Sequence, residues 1–350
     1  MILFRSFIAM VLFLILAQAN IWVSTQTHLV LAVGYRAFLI AAPSFMMLGV
    51  GRGMRLAVLL GAISAGFFFF QMNTISLGVF ALSMAVAGYI AKYVSSSTIE
   101  GAADNKIALN IGSLLSGAVL MLTQNKDLIL MLTLGSMIFC FYLASKIDWD
   151  HILHIDHSTN EISKSAVRKS VMKTLGWGLV GVATGIKLTG IFVILPQYLL
   201  HYYKNLPSWY GAMIVINSLG VILVQHRILL WLEQQKRSVT LLLTLSTMFL
   251  LAIPEFMNVQ NIFMAILWMV LLTFGECALS SYDRLAKKDG YLLAKEMMVG
   301  LGSFVTVTLS RQFQDQIYLS GLIGALSMVL GLALIVLPGL KLSLSRQMQA

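Results

Sequence analysis

The 350-residue chain is 59% hydrophobic and 11% charged, with a mean hydropathy of +0.86. A soluble domain carries about 25% charged residues, so a water-soluble enzyme is excluded, and lipid, which leaves backbone amides no outside partner, demands helices. The net charge of +10 would suit nucleic acid in a soluble protein; here it points to basic cytoplasmic loops and no nucleic-acid partner.

A membrane-crossing helix needs about 20 mainly apolar residues. In chain order such spans are predicted at 6–23, 28–50, 54–71, 74–94, 107–124, 127–146, 174–200, 208–226, 238–257, 260–281, 291–310 and 317–339. The alternating segments of about ten residues that mark a barrel are absent. With the N-terminus in the cytoplasm, eighteen of the 24 Lys and Arg residues fall on the cytoplasmic side. Only Lys126, Lys204 and Arg311 fall opposite, and Arg36, Lys187 and Lys295 lie within or at the edge of spans. A wrong span count would scramble this sorting, so both termini are expected in the cytoplasm. Arg5, an apolar run and Ala17-Gln18-Ala19 also fit a cleaved signal peptide; the immediate succession of further spans favours a first membrane helix.

The longest hydrophilic stretch divides the chain into residues 1–146, a cytoplasmic linker at 147–173, and residues 174–350. Within the linker, Asp150, His151, His154, Asp156 and His157 have spacing that could touch a metal, but no closed ligand set is evident and a solvated turn suffices. Cys140 and Cys277 lie in apolar runs and read as small buried hydrophobes. Gly181 and Gly185 form a GxxxG pattern suited to close helix packing. No nucleotide-binding or hydrolase motif appears, and no cofactor is implied. A weak internal echo links the basic connection Gly49-Val50-Gly51-Arg52-Gly53-Met54-Arg55 to its counterpart carrying Arg227, Lys236 and Arg237.

These features resemble the major facilitator superfamily. Leu195-Pro196-Gln197-Tyr198, Trp209-Tyr210-Gly211 and Asn217 are similar to the seventh and eighth spans of its drug exporters. Thr273-Phe274-Gly275-Glu276 resembles a tenth-span motif of proton-coupled members, and Asn110, Gly112 and Gly117 resemble the fifth span of antiporters. The resemblance implies an all-α membrane protein of two six-helix bundles, with Arg52, Arg55 and Arg227 in gating loops. It also implies a monomeric secondary transporter in the plasma (bacterial inner) membrane, taking a small-molecule substrate and protons or another coupling ion.

Ionisable side chains inside spans are costly and mark function by default. Glu276, Lys187 and Arg36 are therefore the substrate-binding or coupling candidates, with Glu276 exchanging a proton and its pairing with Lys187 changing between states. The Lys295-Glu296 pair is placed at the edge of the eleventh span. Proton-coupled efflux is the leading expectation. The alternative is proton-linked uptake of an organic anion or nutrient, with Arg36 and Lys187 suited to an anion, and a non-transporting membrane scaffold is a third reading.

Overall fold

An apolar segment in lipid closes its own backbone hydrogen bonds, and every span expected from the sequence holds a helix. The computed structural model describes residues 1–22, 35–70, 74–123, 125–149, 171–189, 208–252, 262–312 and 318–347. Twelve α-helices lie among the described residues. In the first half they are α1 (Ile2–Trp22), α2 (Ala42–Met47), α3 (Val50–Phe70), α4 (Thr74–Ser95), α5 (Ile99–Leu122) and α6 (Lys126–Lys146). In the second half they are α7 (Val171–Thr189), α8 (Ser208–Gln234), α9 (Arg237–Ala252), α10 (Ile262–Lys288), α11 (Leu292–Gln312) and α12 (Tyr318–Gln347). Within the described residues, Val50–Phe68, Ile75–Ser95, Lys126–Lys146 and Val215–Gln234 are each long and apolar enough to cross a membrane. The linker cluster from Asp150 to His157 and the Leu195–Tyr198 motif lie outside the described residues.

Local chemistry corrects several span limits. The second span is not one continuous α-helix: Tyr35–Ala41 is a 3-10 turn leading into α2. Pro43 sits in the first turn of α2, where its missing N–H costs nothing, but its ring is incompatible with an α-turn continuing upstream. Helix α5 starts at Ile99, not 107, because the Thr98 side chain accepts from Gly101 N at 3.0 Å. That cap brings the polar turn Glu100–Lys106, which hydropathy discards, into the helix. Asn125 caps α6 by accepting from Asp127 N and Leu128 N. Helices α8 and α10 likewise run past the apolar limit, to Gln234 and Lys288.

The chain forms two compact units: Met1–Ser165 with Ser218–Leu230, and Ala166–Asn217 with Trp231–Ala350. In the first unit α1 packs on α5 and α6, and α3 packs on α4 and α6. In the second, α7 packs on α11 and α12, and α9 packs on α10 and α12. Shifting each helix number by six converts one pattern into the other. The repeat that is faint in the residues is therefore plain in the packing, as expected of parallel transporter repeats.

Small residues set the closest helix approaches, since apolar side chains gain little from leaving lipid and backbone packing must hold the helices. A Cβ on Gly181 would collide with the Lys295 carbonyl, and one on Gly185 with the Val299 carbonyl. Reciprocally, a Cβ on Gly302 would strike the Val182 carbonyl. On the other side of α7, Gly176 and Gly331 each expose the space where the other's Cβ would fall 2.7 Å from a carbonyl oxygen. In the first unit Gly112 of α5 plays the matching part, its absent Cβ lying 2.6 Å from the Ser6 carbonyl oxygen.

The basic connection between α2 and α3 is a tight turn. Gly49 has φ +93, a left-handed conformation that favours glycine. A Cβ on Gly53 would meet the Phe45 carbonyl, and one on Gly51 would lie 3.1 Å from Trp149 Cδ1. Trp149, at the start of the linker, is buried there against Phe4, with ring centroids 5.8 Å apart, and donates from Nε1 to the Ala144 carbonyl at 2.9 Å. The first residues of the hydrophilic linker are thus anchored to the base of the first unit.

Candidate functional site

Helix α7 is buried on nearly every side from Gly176 to Thr189, which follows from its position between α11 and α12. Lys187 falls on the same helical stripe as Gly176, Val180 and Ala183 and has no solvent exposure. Glu276 occupies α10, whose residues from Leu272 to Tyr282 are buried almost without interruption; Glu276 itself is 3% exposed. One turn away, Thr273 Oγ1 donates to Asn217 Oδ1 of α8 at 2.9 Å, a fully buried bond within the second unit. The helices of Lys187 and Glu276 have different principal neighbours: α7 is held by α11 and α12, and α10 packs chiefly on α9.

The Lys295-Glu296 pair, placed at a span edge by the sequence, is buried. Lys295 has no solvent exposure, and its Nζ donates to Asp283 Oδ1 at 2.6 Å and to Glu296 Oε1 at 3.2 Å. An isolated ammonium at this depth would cost several kcal/mol, so the two carboxylates are the condition for burying it charged. Asp283 was missed because the hydropathy limit of the tenth span falls at 281. The available signal was spacing: Asp283 is seven residues from Glu276 and shares its helical face. Toward the ends of α8 and α10, Arg284 pairs with Glu233. At the α10–α11 turn, Asp289 accepts from Trp177 Nε1 at 3.2 Å and lies 3.9 Å from Lys173 Nζ.

In the first unit Arg36 sits in the 3-10 turn, half-buried, its guanidinium 5.3 Å from the Tyr35 ring centroid. Arg52 and Arg55 are exposed on the first turns of α3, and Arg55 Nε donates to the Gly51 carbonyl at 3.2 Å. Arg227 is exposed on α8, beside His226, whose Nε2 lies 2.9 Å from Asp104 Oδ1 of α5. Arg5, which the sequence assigns to a cytoplasmic end, is largely buried and donates from Nε to Asn105 Oδ1 at 2.9 Å. Gly88 leaves room for it: a Cβ there would lie 3.3 Å from Arg5 Nη1. Arg5 on the first helix of the first unit and Lys295 on the fifth helix of the second are thus both buried against polar partners.

No protein-family model matches the sequence, and no curated protein matches it. Solved structures do. The human organic anion transporter MFSD10 (TETRAN) superposes with a TM-score of 0.65 at 13% identity, over 94% of this chain and 97% of that one. The E. coli fucose:proton symporter FucP gives 0.59 at 15% identity, over 95% of each chain. A POT family transporter in complex with a thioalcohol-conjugated peptide gives 0.66 at 14% identity, over 97% of this chain and 95% of that one. At these identities the likeness establishes the fold: an all-α membrane protein of major facilitator type, matched over nearly its whole length.

Proposed function

We propose that this chain of major facilitator fold is a secondary active transporter that moves small organic solutes across the plasma membrane by alternating access, coupled to protons and directed outward. The observation that carries the reading is the burial of Glu276 in α10. A carboxylate inside a membrane helix is costly and is retained where it does work. Glu276 takes a proton in one orientation of the transporter and releases it in the other. Lys187, equally buried but on a helix with other principal neighbours, is the fixed cation whose approach to Glu276 distinguishes the two orientations.

In this mechanism the protein forms no covalent bond to its substrate. The two units alternate access to a site near the membrane midplane, and Arg52 and Arg55, exposed on the first turns of α3, act in the cytoplasmic gate with Arg227, exposed on α8 two turns before its end. The fold supports the reading, because the three superposed structures are an organic anion transporter, a fucose:proton symporter and a POT family transporter in complex with a peptide conjugate.

A second reading is proton-linked uptake of an organic anion, favoured by the two cationic candidates Arg36 and Lys187 and by the organic anion transporter among the superposed structures. Liposomes containing the purified chain in known orientation, given a proton gradient and a panel of labelled sugars, peptides, carboxylates and lipophilic cations, separate the two by direction and charge class. Gradient-driven flux that persists undiminished in Glu276→Gln would discard the coupling role.

A further inference from the structure

Helix α10 carries a polar stripe through an otherwise apolar sequence. Thr273, Glu276, Ser280 and Asp283 follow one another at spacings of three and four residues, which places them on one helical face. Thr273, Glu276 and Ser280 are all buried, and Asp283 ends the row against the buried Lys295. Glu276 and Asp283 are two turns apart, about 10 Å along the axis, with Ser280 between them.

Lys295 and its partners have a composition suited to proton exchange. One buried ammonium is shared by two carboxylates, Asp283 from α10 and Glu296 from α11. With either carboxylate ionised the ammonium keeps a counter-charge, so the other can change protonation state without leaving Lys295 buried alone. A tie between two helices would need only one of them.

We propose that Asp283, Lys295 and Glu296 form a second proton-holding station, which exchanges a proton with Glu276 along the Ser280 face of α10. The inference rests on the reading of Glu276 as the coupling group. In the exchange an O–H bond breaks at the Glu276 carboxyl and one forms on the carboxylate of Asp283 or Glu296, through the Ser280 hydroxyl and water. Nothing is oxidised or reduced, and the total charge is unchanged. The station lies nearer than Glu276 to the cytoplasmic end of α10, so it is where a proton leaves for, or arrives from, that side.

Other titratable and charged groups on the surrounding elements have separate engagements. Tyr282 is buried on α10 beside Thr244 of α9, Arg284 pairs with Glu233 of α8, and Lys173 and Trp177 of α7 hold Asp289. Lys287 and Tyr291 flank the α10–α11 turn. Lys187 is the remaining buried cation of α7.

The test is infrared difference spectroscopy between acid and alkaline buffers on the full chain in lipid, which reads carboxylic acid C=O bands and needs no substrate. The expected result is one band lost completely in Glu276→Gln and a second lost in Asp283→Asn or Glu296→Gln, with each variant monodisperse by size-exclusion chromatography. After rapid acidification from the cytoplasmic side the station band rises first and the Glu276 band follows, with the interval lengthened severalfold in Ser280→Ala. No band lost in either station variant means a permanently ionised tie and overturns the proposal, while a band lost in Glu276→Gln leaves the coupling group intact. A station band without a Glu276 band removes the partner and overturns both readings. Simultaneous rise of the two bands, in wild type and Ser280→Ala alike, overturns the exchange.

Discussion

The ammonium of Lys295 lies 2.6 Å from the Asp283 carboxylate, joining α11 to α10 close to the turn that connects them. The turn itself is short: Asp289, then Gly290 at φ +81, then Tyr291. The helices touch little elsewhere, since α10 packs mainly on α9 and α11 on α7. The ion cluster therefore sets the geometry of this corner. Removing Lys295 leaves both carboxylates without their counter-ion, a loss of about 3–5 kcal/mol, whereas replacing the whole set with apolar residues of similar size costs much less. Lys295→Met alone is expected to lower the melting temperature sharply, and Lys295→Met with Asp283→Leu and Glu296→Leu to recover most of it. The two buried free cysteines, Cys140 and Cys277, allow unfolding to be followed with a thiol-reactive dye. Equal melting temperatures for Lys295→Met and wild type would show that the cluster does not hold the corner.

Glycines divide into those that a neighbour requires and those that none does. A side chain at Gly185 would drive into the Val299 carbonyl, and the contact is with backbone, which cannot turn aside. Gly185→Leu should therefore separate α7 from α11 and reduce the yield of folded protein severely. Gly117, in α5, has nothing within 4 Å of its would-be Cβ. Gly117→Ala should be neutral or stabilise by up to about 1 kcal/mol, the usual gain of Ala over Gly inside a helix. Fluorescence-detected size exclusion compares the two directly, and comparable profiles would break the distinction.

Helix number and class were legible because apolar run length and the sidedness of Lys and Arg are direct imprints of the bilayer. The repetition within the chain was carried by which helices pack together, not by residue identity. Hydropathy failed where a helix continues beyond the apolar region. It truncated α10 before Asp283 and α5 before Asp104 and Asn105, and so hid the partners of Lys295, His226 and Arg5. Trp149 was hidden differently: its neighbours in sequence are polar, and only the tertiary contact with Gly51 and Phe4 makes it a core residue. The buried positions of Lys187 and Glu276 were readable from their place within spans. Their contacts were not, because helix adjacency is set by packing that no single segment encodes.

The Asn217–Thr273 bond is a polar tie between α8 and α10 with both ends buried. Thr273→Val keeps the shape but strands the Asn217 side chain, costing about 1–3 kcal/mol. Asn217→Leu with Thr273→Val removes both partners and should be milder than either single change. A double-mutant cycle on thermal stability measures the coupling. Strict additivity of the two single changes would mean that the bond contributes nothing.

The orientation inferred from the charges can be read with single cysteines. In a background where Cys140 and Cys277 are replaced by Ala, three exposed positions are informative: Glu100 at the start of α5, Lys288 at the end of α10, and Asp127 in the first turn of α6. The α4–α5 and α10–α11 connections, which the charge pattern assigns to the cytoplasm, collect Lys92, Lys106, Arg284, Lys287 and Lys288, while the α5–α6 connection carries Lys126 together with Asp127. Translocation strongly disfavours Lys and Arg in short loops, and acidic residues matter little. A membrane-impermeant maleimide should therefore modify Glu100→Cys and Lys288→Cys only from the cytoplasmic side, and Asp127→Cys only from the outside. Labelling of Glu100→Cys and Lys288→Cys from opposite sides would break the even spacing of crossings between α4 and α11. The cytoplasmic placement of the Lys295 station would fall with it.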